Sequence, residues 1–451
     1  MITDDVKAKI TKISPMKIIL FGYCFIILIG ACLLMLPIST RTMEMTHFSD
    51  AFFTATSATC VTGLVRFDTY THWSVFGQCV ILAMIQIGGI GFMTVTIWLA
   101  SLTRMKIGLT SRFIMQNSIS APQVGGIVRM TKFVLLGTAT IEGVGALLLC
   151  FHFMPKLGFL KGLWYSVFHS ISAFCNAGFD LMGYQEQYSS LTASAGNWYL
   201  NMIIMLLIII GGLGFFVWKD LLASKFRFSK MRLHTKLVIC MTLALIVLGA
   251  VGIFLFEING SVFEGKSVSD RIVGSLFQSV TSRTAGFNTL DLSIMTPSSQ
   301  FLMICLMMIG GSPGSTAGGV KTTTFAVLLL SIVATFRQRK HTEVYGRRLA
   351  EGATRMASCV FMTYLFLSLT VSMIISNIEG VSFMSAMFES ISAIATVGLS
   401  LSLTPTLGMV SKLLLAFLMI VGRVGSITFL LAFSSGKQVP SKLPAENIQI
   451  G

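Results

Sequence analysis

The sequence predicts an all-α integral membrane protein in which four tandem span–half-helix–glycine-loop–span repeats are arranged pseudo-fourfold around one pore. Three observations lead there. Of the 451 residues, 54% are apolar and 11% charged, against about 25% charge in soluble domains, and the mean hydropathy is +0.81. The apolar residues gather into eight long stretches, and four shorter apolar stretches recur between them, each leading into a glycine. This composition excludes a cytosolic enzyme, a disordered chain and a secreted disulfide scaffold. The nine cysteines lie in or beside apolar segments with no CxxC spacing, so they act as small apolar residues.

The long stretches are Met16–Leu36, Trp73–Leu102, Phe133–Phe153, Trp198–Trp218, Leu237–Phe256, Phe301–Thr335, Ala357–Ile375 and Leu413–Phe433. The first has 21 residues, about 32 Å of helix, which crosses a bilayer. No small-residue cleavage site follows it, so a retained helix is expected rather than a signal peptide. The net charge is +15, yet the basic residues lie in short runs between apolar segments, which suits a membrane and its lipids rather than nucleic acid. The N-terminus through Lys17, segments 103–132, 219–236 and 321–355, and the C-terminal tail hold 24 of the 33 basic residues and 6 of the 18 acids. The positive-inside rule makes these segments cytoplasmic, with both termini inside the cell (inner or plasma) membrane.

The short stretches are Phe48–Cys60, Leu163–Cys175, Ile272–Thr281 and Phe383–Ala395. They are too short to cross and too apolar for ordinary loops, so re-entrant segments lining a shared watery cavity are expected. Phe53, Phe168 and Phe388 precede Gly63, Gly178 and Gly398 by ten residues, and Phe277 precedes Gly286 by nine. The glycines recur at intervals of 115, 108 and 112 residues, an internal repeat. The repeats are expected at 16–104, 131–220, 236–336 and 355–434, flanked by cytoplasmic segments 1–15 and 435–451. Glycines also recur downstream, as Gly88-Gly89-Ile90-Gly91, Gly211-Gly212-Leu213-Gly214, Gly310-Gly311 and Gly422-Arg423-Val424-Gly425. Close helix packing accounts for the first two copies but not for Arg423.

A half-helix that enters from outside and stops mid-membrane aims its carbonyl end at the centre, and that end carries roughly half a negative charge. The loops that follow, Val61-Thr62-Gly63, Asn176-Ala177-Gly178, Thr284-Ala285-Gly286 and Thr396-Val397-Gly398, supply neutral oxygens and no carboxylate ring. Glycine frees the backbone there and lets four chains crowd one axis. Such a donor set suits a weakly hydrated monovalent cation better than Ca²⁺ or Mg²⁺. Potassium fits best.

Thr396-Val397-Gly398 and Val61-Thr62-Gly63-Leu64 are degenerate forms of the potassium-channel filter signature. Together with the other two loops, the run Gly-Ser-Pro-Gly-Ser-Thr-Ala-Gly-Gly-Val-Lys after Gly310, and Gly-Arg-Val-Gly at 422–425, they carry a wider likeness. Over roughly residues 16–434 the chain resembles the Ktr/Trk superfamily of potassium uptake proteins, most of all the membrane subunit of bacterial Ktr systems. The resemblance implies a single-chain pore, a homodimer, and a cytosolic regulatory ring that binds a nucleotide (ATP/ADP or NAD). It also implies potassium uptake stimulated by Na⁺, with no cofactor in this chain and K⁺ at the filter as its only metal. The filter glycines carry over as Gly63, Gly178, Gly286 and Gly398. Some relatives that pass sodium have Ser at the first, so Gly at all four favours K⁺.

The sixth stretch is 35 residues, about 52 Å if straight, against a core of about 30 Å. Residues 310–319 hold five Gly and one Pro and break it. A loop obstructing ions below the filter is expected, and the resemblance implies the same: an intramembrane gate formed by Gly310, Gly311, Ser312, Gly314, Ser315, Thr316, Gly318 and Gly319. Ser312, Ser315 and Thr316 are expected to satisfy its broken backbone. Arg423, 25 residues past Gly398, is expected to face the cavity, hold this loop through carbonyl bonds and repel cations, with snorkelling as the competing account. Lys321 is expected as a cytoplasmic-side anchor. Arg283 and Glu389 should brace the loops from behind, with each other as candidate partners, and Glu142 should be a buried carboxyl with a local partner rather than a proton relay.

Two other classes compete. A sodium-coupled secondary cation transporter usually shows two repeats, often inverted, whereas four here share one orientation. A membrane enzyme needs a metal or acid–base cluster, and the six histidines form no HExxH or other close pair. No enzymatic activity is expected.

Overall fold

The computed structural model describes residues 15–91, 127–339, 341–350 and 352–433. The expected N-terminal segment apart from Pro15, the lower end of the second stretch, most of 103–132 and the tail 435–451 lie outside these residues. The described chain is almost wholly helical, with one two-stranded hairpin, β1 (Glu343–Val344) and β2 (Arg347–Arg348).

The first unit holds α1 (Pro15–Met35), α2 (Phe48–Cys60), a short α3 (Thr69–His72) and α4 (Val75–Ile90). Asp68 caps α3 through the Tyr70 and Thr71 amides, and Ser74 caps α4 through Gly77. The second unit holds α5 (Ile127–Leu157), α6 (Phe159–Phe174), α7 (Trp198–Leu213) and α8 (Phe215–Ser224). The third holds α9 (Leu233–Phe256), α10 (Val268–Thr281), α11 (Pro297–Met308) and α12 (Thr322–Phe336). The fourth holds α13 (Ala353–Glu379), α14 (Phe383–Ile394), α15 (Met409–Val424) and α16 (Ser426–Phe433).

The short helices α2, α6, α10 and α14 form the centre. Phe53, Phe168, Phe277 and Phe388, the phenylalanines of the sequence repeat, are at most 1% exposed. Around them, α1, α5, α9 and α13 are long and apolar enough to cross a membrane. They turn Phe25, Phe151, Leu248 and Phe366 outward, as a lipid-facing surface requires. The chain is thus a multi-pass membrane protein.

The second long stretch of the first, second and fourth units departs from the expectation of one continuous span, whereas that of the third breaks where expected. Trp198–Trp218 breaks at Gly214 (φ +95°), and α8 leaves α7 at 93°. Leu413–Phe433 breaks at Gly425 (φ +90°), and α4 stops at Gly91 (φ +89°). A positive φ is open to glycine and ends a right-handed helix. Hydropathy registers none of this.

In each unit the C-terminal end of the long helix, or the turn just after it, is tied to the start of the second long stretch. Ser74 Oγ donates to the Ile38 carbonyl (2.6 Å), and the Asn197 amide meets His152 Nδ1 (3.2 Å). Glu257 accepts from the Thr296 amide (2.8 Å) and hydroxyl (2.7 Å). Glu379 accepts from the Gly408 amide (2.9 Å) and from the Ser411 hydroxyl. Between the fourth and first units, the buried Lys412 ammonium donates to Asp50, whose carboxylate also lies 3.9 Å from Arg66 Nε.

Candidate functional site

The four central helices end alike. Each is followed by a non-glycine residue in the left-handed region: Val61 (φ +58°), Asn176 (+59°), Thr284 (+68°) and Thr396 (+52°). Two residues later comes Gly63 (+96°), Gly178 (+68°), Gly286 (+86°) or Gly398 (+92°). The four glycines meet in cyclic order. A Cβ on Gly63 would lie 2.5 Å from the Ala177 carbonyl oxygen, one on Gly178 2.8 Å from Ala285 O, and one on Gly286 2.6 Å from Val397 O. On Gly398 it would strike Thr62 O. Four neutral carbonyls, one from each loop, therefore crowd one ring of glycines, and no side chain fits there.

Each loop is braced by a hydroxyl four residues after its buried phenylalanine. Ser57 accepts from the Gly63 amide (3.1 Å) and Ser392 from the Gly398 amide (3.1 Å). Ser172 donates to Phe179 O (2.6 Å) and Thr281 to Phe287 O (2.8 Å). The sequence reading missed these four. The signal was present as Phe-x-x-x-Ser/Thr in every repeat. The buried hydroxyls of Thr62, Thr284 and Thr396 have no partner among the described residues. Above the ring lies a cavity of about 300 Å³ whose wall includes Asp68 and Asp180, two further acids that the loop-centred reading passed over.

Below the ring, residues 309–321 leave the helical path. Gly310 N donates to Val320 O (2.9 Å), closing the segment on itself. Ser312 N donates to Gly212 O (3.0 Å), Phe215 N to Gly314 O (2.7 Å) and the Thr316 hydroxyl to Phe174 O (3.1 Å). A Cβ on Gly319 would meet Ala395 O at 3.2 Å, one on Gly318 would strike the Thr396 side chain, and one on Gly311 would strike Ala317 of the same segment. The segment thus packs beneath the second and fourth loops. Its side chains do less for their own backbone than expected: Ser312 Oγ bonds Thr322 Oγ1 (3.0 Å), and Ser315 Oγ has no partner among the described residues.

Three cations hold this segment by its carbonyls. Arg423 donates to Thr316 O, and also to Gly88 O and Gly89 O (3.0 Å to the latter). Lys321 donates to Ala317 O (2.7 Å), so it turns into the segment and is not the cytoplasmic anchor expected. Arg283 reaches Gly310 O (3.4 Å). Arg283 and Glu389 do not pair, because Glu389 is taken by the hydroxyls of Ser400 and Thr404 (2.9 Å to the latter). Glu142 accepts from Gln86 Nε2 (2.9 Å), a local partner. A second cavity of about 210 Å³ lies against Arg423 and Lys321.

Gly88, Gly211 and Gly422 admit the backbone of the central helices. A Cβ on each would collide with the carbonyl of Thr59, Phe174 or Ile394, the residue four before the ring glycine of the same unit. The sequence model of TrkH, described as a cation transport protein family, matches residues 16–442. The chain belongs to the TrkH family.

Other members agree along the whole length. The potassium/sodium uptake protein NtpJ of Enterococcus hirae is 39% identical over 447 residues, 98% of each chain. The Ktr system potassium uptake protein B of Bacillus subtilis is 38% identical over 448 residues, 99% of each. The crystal structure of the potassium transporter TrkH from Vibrio parahaemolyticus superimposes with a TM-score of 0.69, covering 92% of this chain and 85% of that one at 18% identity. That likeness speaks for the fold. TrkH is a transport family rather than an enzyme family, in keeping with the chemistry of the ring.

Proposed function

We propose that this TrkH-family chain takes up potassium across the cell membrane, with residues 61–63, 176–178, 284–286 and 396–398 as its ion filter. The convergence of four neutral carbonyls on the glycine ring carries this reading, since carbonyl oxygens replace the hydration shell of a weakly hydrated cation. The unpartnered hydroxyls of Thr62, Thr284 and Thr396 fit a cation as well. The names of the relatives point the same way, and that of NtpJ adds sodium. Residues 310–319 with Arg423 form the gate, because the segment lies beneath the ring and a guanidinium holds it. Na⁺ acts as an activator.

The pore works as a homodimer with both termini cytoplasmic, on a cytosolic ring whose subunits bind ATP/ADP or NAD. Support for the ring comes from the exposed Lys225, Arg227, Lys230, Arg337, Arg339 and Arg347, a basic face suited to an acidic or nucleotide-bearing partner. The deciding experiment is uptake of K⁺, Rb⁺ and Na⁺ in a bacterium lacking its own potassium uptake systems. K⁺ and Rb⁺ rescue without comparable Na⁺ flux is expected; equal Na⁺ flux would overturn the filter assignment.

A further inference from the structure

We infer that the lower cavity is a binding site for a phosphate-class anion, held between Lys321, Arg423 and the N-terminus of α16. Its wall carries both cations and no Asp or Glu among the described residues. Neither cation has a carboxylate within ion-pair distance among those residues. Two like charges side by side in a poorly solvated pocket repel each other and attract any anion that reaches them.

Donor capacity remains after the segment has been held. The ammonium of Lys321 has three donors, and its bond to Ala317 O uses one. Arg423 spends its two terminal nitrogens on carbonyls, leaving Nε outside those bonds. The helix α16 begins at Ser426 directly after the break at Gly425, and its first intrahelical bond is Phe429 N to Gly425 O (2.9 Å). The amides before Phe429 therefore have no acceptor within the helix, and the positive end of the helix faces the cavity.

An independent sign is Ser426 itself. Its side chain lines the cavity, is 2% exposed, and its hydroxyl has no partner among the described residues. A buried hydroxyl is ordinarily satisfied. An ammonium, a guanidinium edge, a hydroxyl and helix amides on separate walls suit an anion with several oxygens around one centre better than a halide. Two sources offer that group. Ile19 and Tyr23 of α1 and Val360 and Tyr364 of α13 complete the wall, and those helices face lipid, so a phospholipid headgroup can reach it; free phosphate can arrive from the cytosol.

The test uses the full chain purified in a neutral maltoside detergent, and it reads binding alone, so it stands apart from any result on ion uptake. One arm titrates inorganic phosphate and follows its ³¹P line width. The other measures, by native mass spectrometry, retention of phosphatidylglycerol over phosphatidylcholine from mixed micelles. Saturable binding of either probe is expected, weakened at least tenfold by Lys321→Gln and severalfold by Ser426→Ala. Phosphatidylglycerol alone identifies a lipid site, phosphate alone a soluble-anion site, and both a site that reads only the shared group. Binding of neither probe, or full affinity in Lys321→Gln of normal elution and melting, overturns the site. If that variant does not fold, Ser426→Ala decides in its place.

Discussion

The first and second helices of each unit have the same apolar character and opposite designs. The first helices, α1, α5, α9 and α13, run 21, 31, 24 and 27 residues without interruption and face lipid. The second helices, meaning the first parts of the second long stretches, α4, α7, α11 and α15, stop after 16, 16, 12 and 16 residues. Three of them stop at a glycine of positive φ, and α11 stops at the segment below the ring. Glycine plays different parts in the two sets. In the first helices it faces open space, as Gly143 does, or a side chain, as Gly145 meets Ser170 and Gly249 meets Ser279; in the second, Gly88, Gly211 and Gly422 lie against backbone carbonyls. Hydropathy reports the solvent around a helix, whereas the close approach of two backbones decides which helix builds the site.

The sharpest break in this comparison comes from adding a side chain at the ring or at the second helix that packs beneath it. Gly88→Ala drives a Cβ into the carbonyl beneath the ring, and Gly63→Ser adds a side chain at a positive φ, a cost of about 1–2 kcal/mol before any clash. K⁺ uptake by Gly88→Ala and the K⁺/Na⁺ ratio of Gly63→Ser should each fall roughly tenfold or more. Uptake normalised to folded protein in the membrane checks both, and an unchanged ratio removes Gly63 from the filter.

Arg423→Ala takes away the guanidinium bonds to Thr316, Gly88 and Gly89 and a positive charge from the path. A severalfold rise in flux at nearly unchanged selectivity is expected, and deleting several residues of 310–319 should act in the same direction. Reduced flux in both, at normal folded levels, would make the segment a packing kink.

A smaller effect follows from cutting the ties between the two sets. Glu257→Gln and Glu379→Gln replace a charged acceptor at the starts of α11 and α15. Each should lower stability by about 1–3 kcal/mol, read as an earlier thermal transition of the purified protein. The least effect, and of opposite sign, belongs to the one glycine of the long helices that faces open space. Gly143→Ala meets nothing within 4 Å and should raise stability by about 0.5–1 kcal/mol. A loss there as large as that of Gly88→Ala would erase the distinction between the two sets.

Much of the centre was legible because its physics is local. Phe48–Cys60 was read with the limits of α2, and the other half-helices differ only by starting about a turn earlier or by a residue or two at their ends. The four glycines were visible because a positive φ and a crowded axis admit no other residue. The breaks at Gly214 and Gly425 were not, because a glycine inside an apolar run reads equally as a packing notch. The roles of Lys321 and Glu389 were hidden for a different reason. A charge has one sign in sequence but many neighbours in space, and their partners at Ala317, Ser400 and Thr404 follow from the turn geometry of the loops.

The contact between Lys412 and Asp50 joins residues 362 positions apart and has a consequence for how the molecule is made. Three of the junctions between units are crossed by the chain itself; the junction between the fourth and the first is not. At ribosomal speeds of about 5–20 residues per second, roughly 20–70 s separate the synthesis of the two side chains. During that time Asp50 has Arg66 nearby but not the lysine that donates to it. Closure is therefore a clasp fastened last. A polypeptide that ends just before Lys412 already carries all four glycine loops, yet it lacks the pair that fastens its last unit to its first.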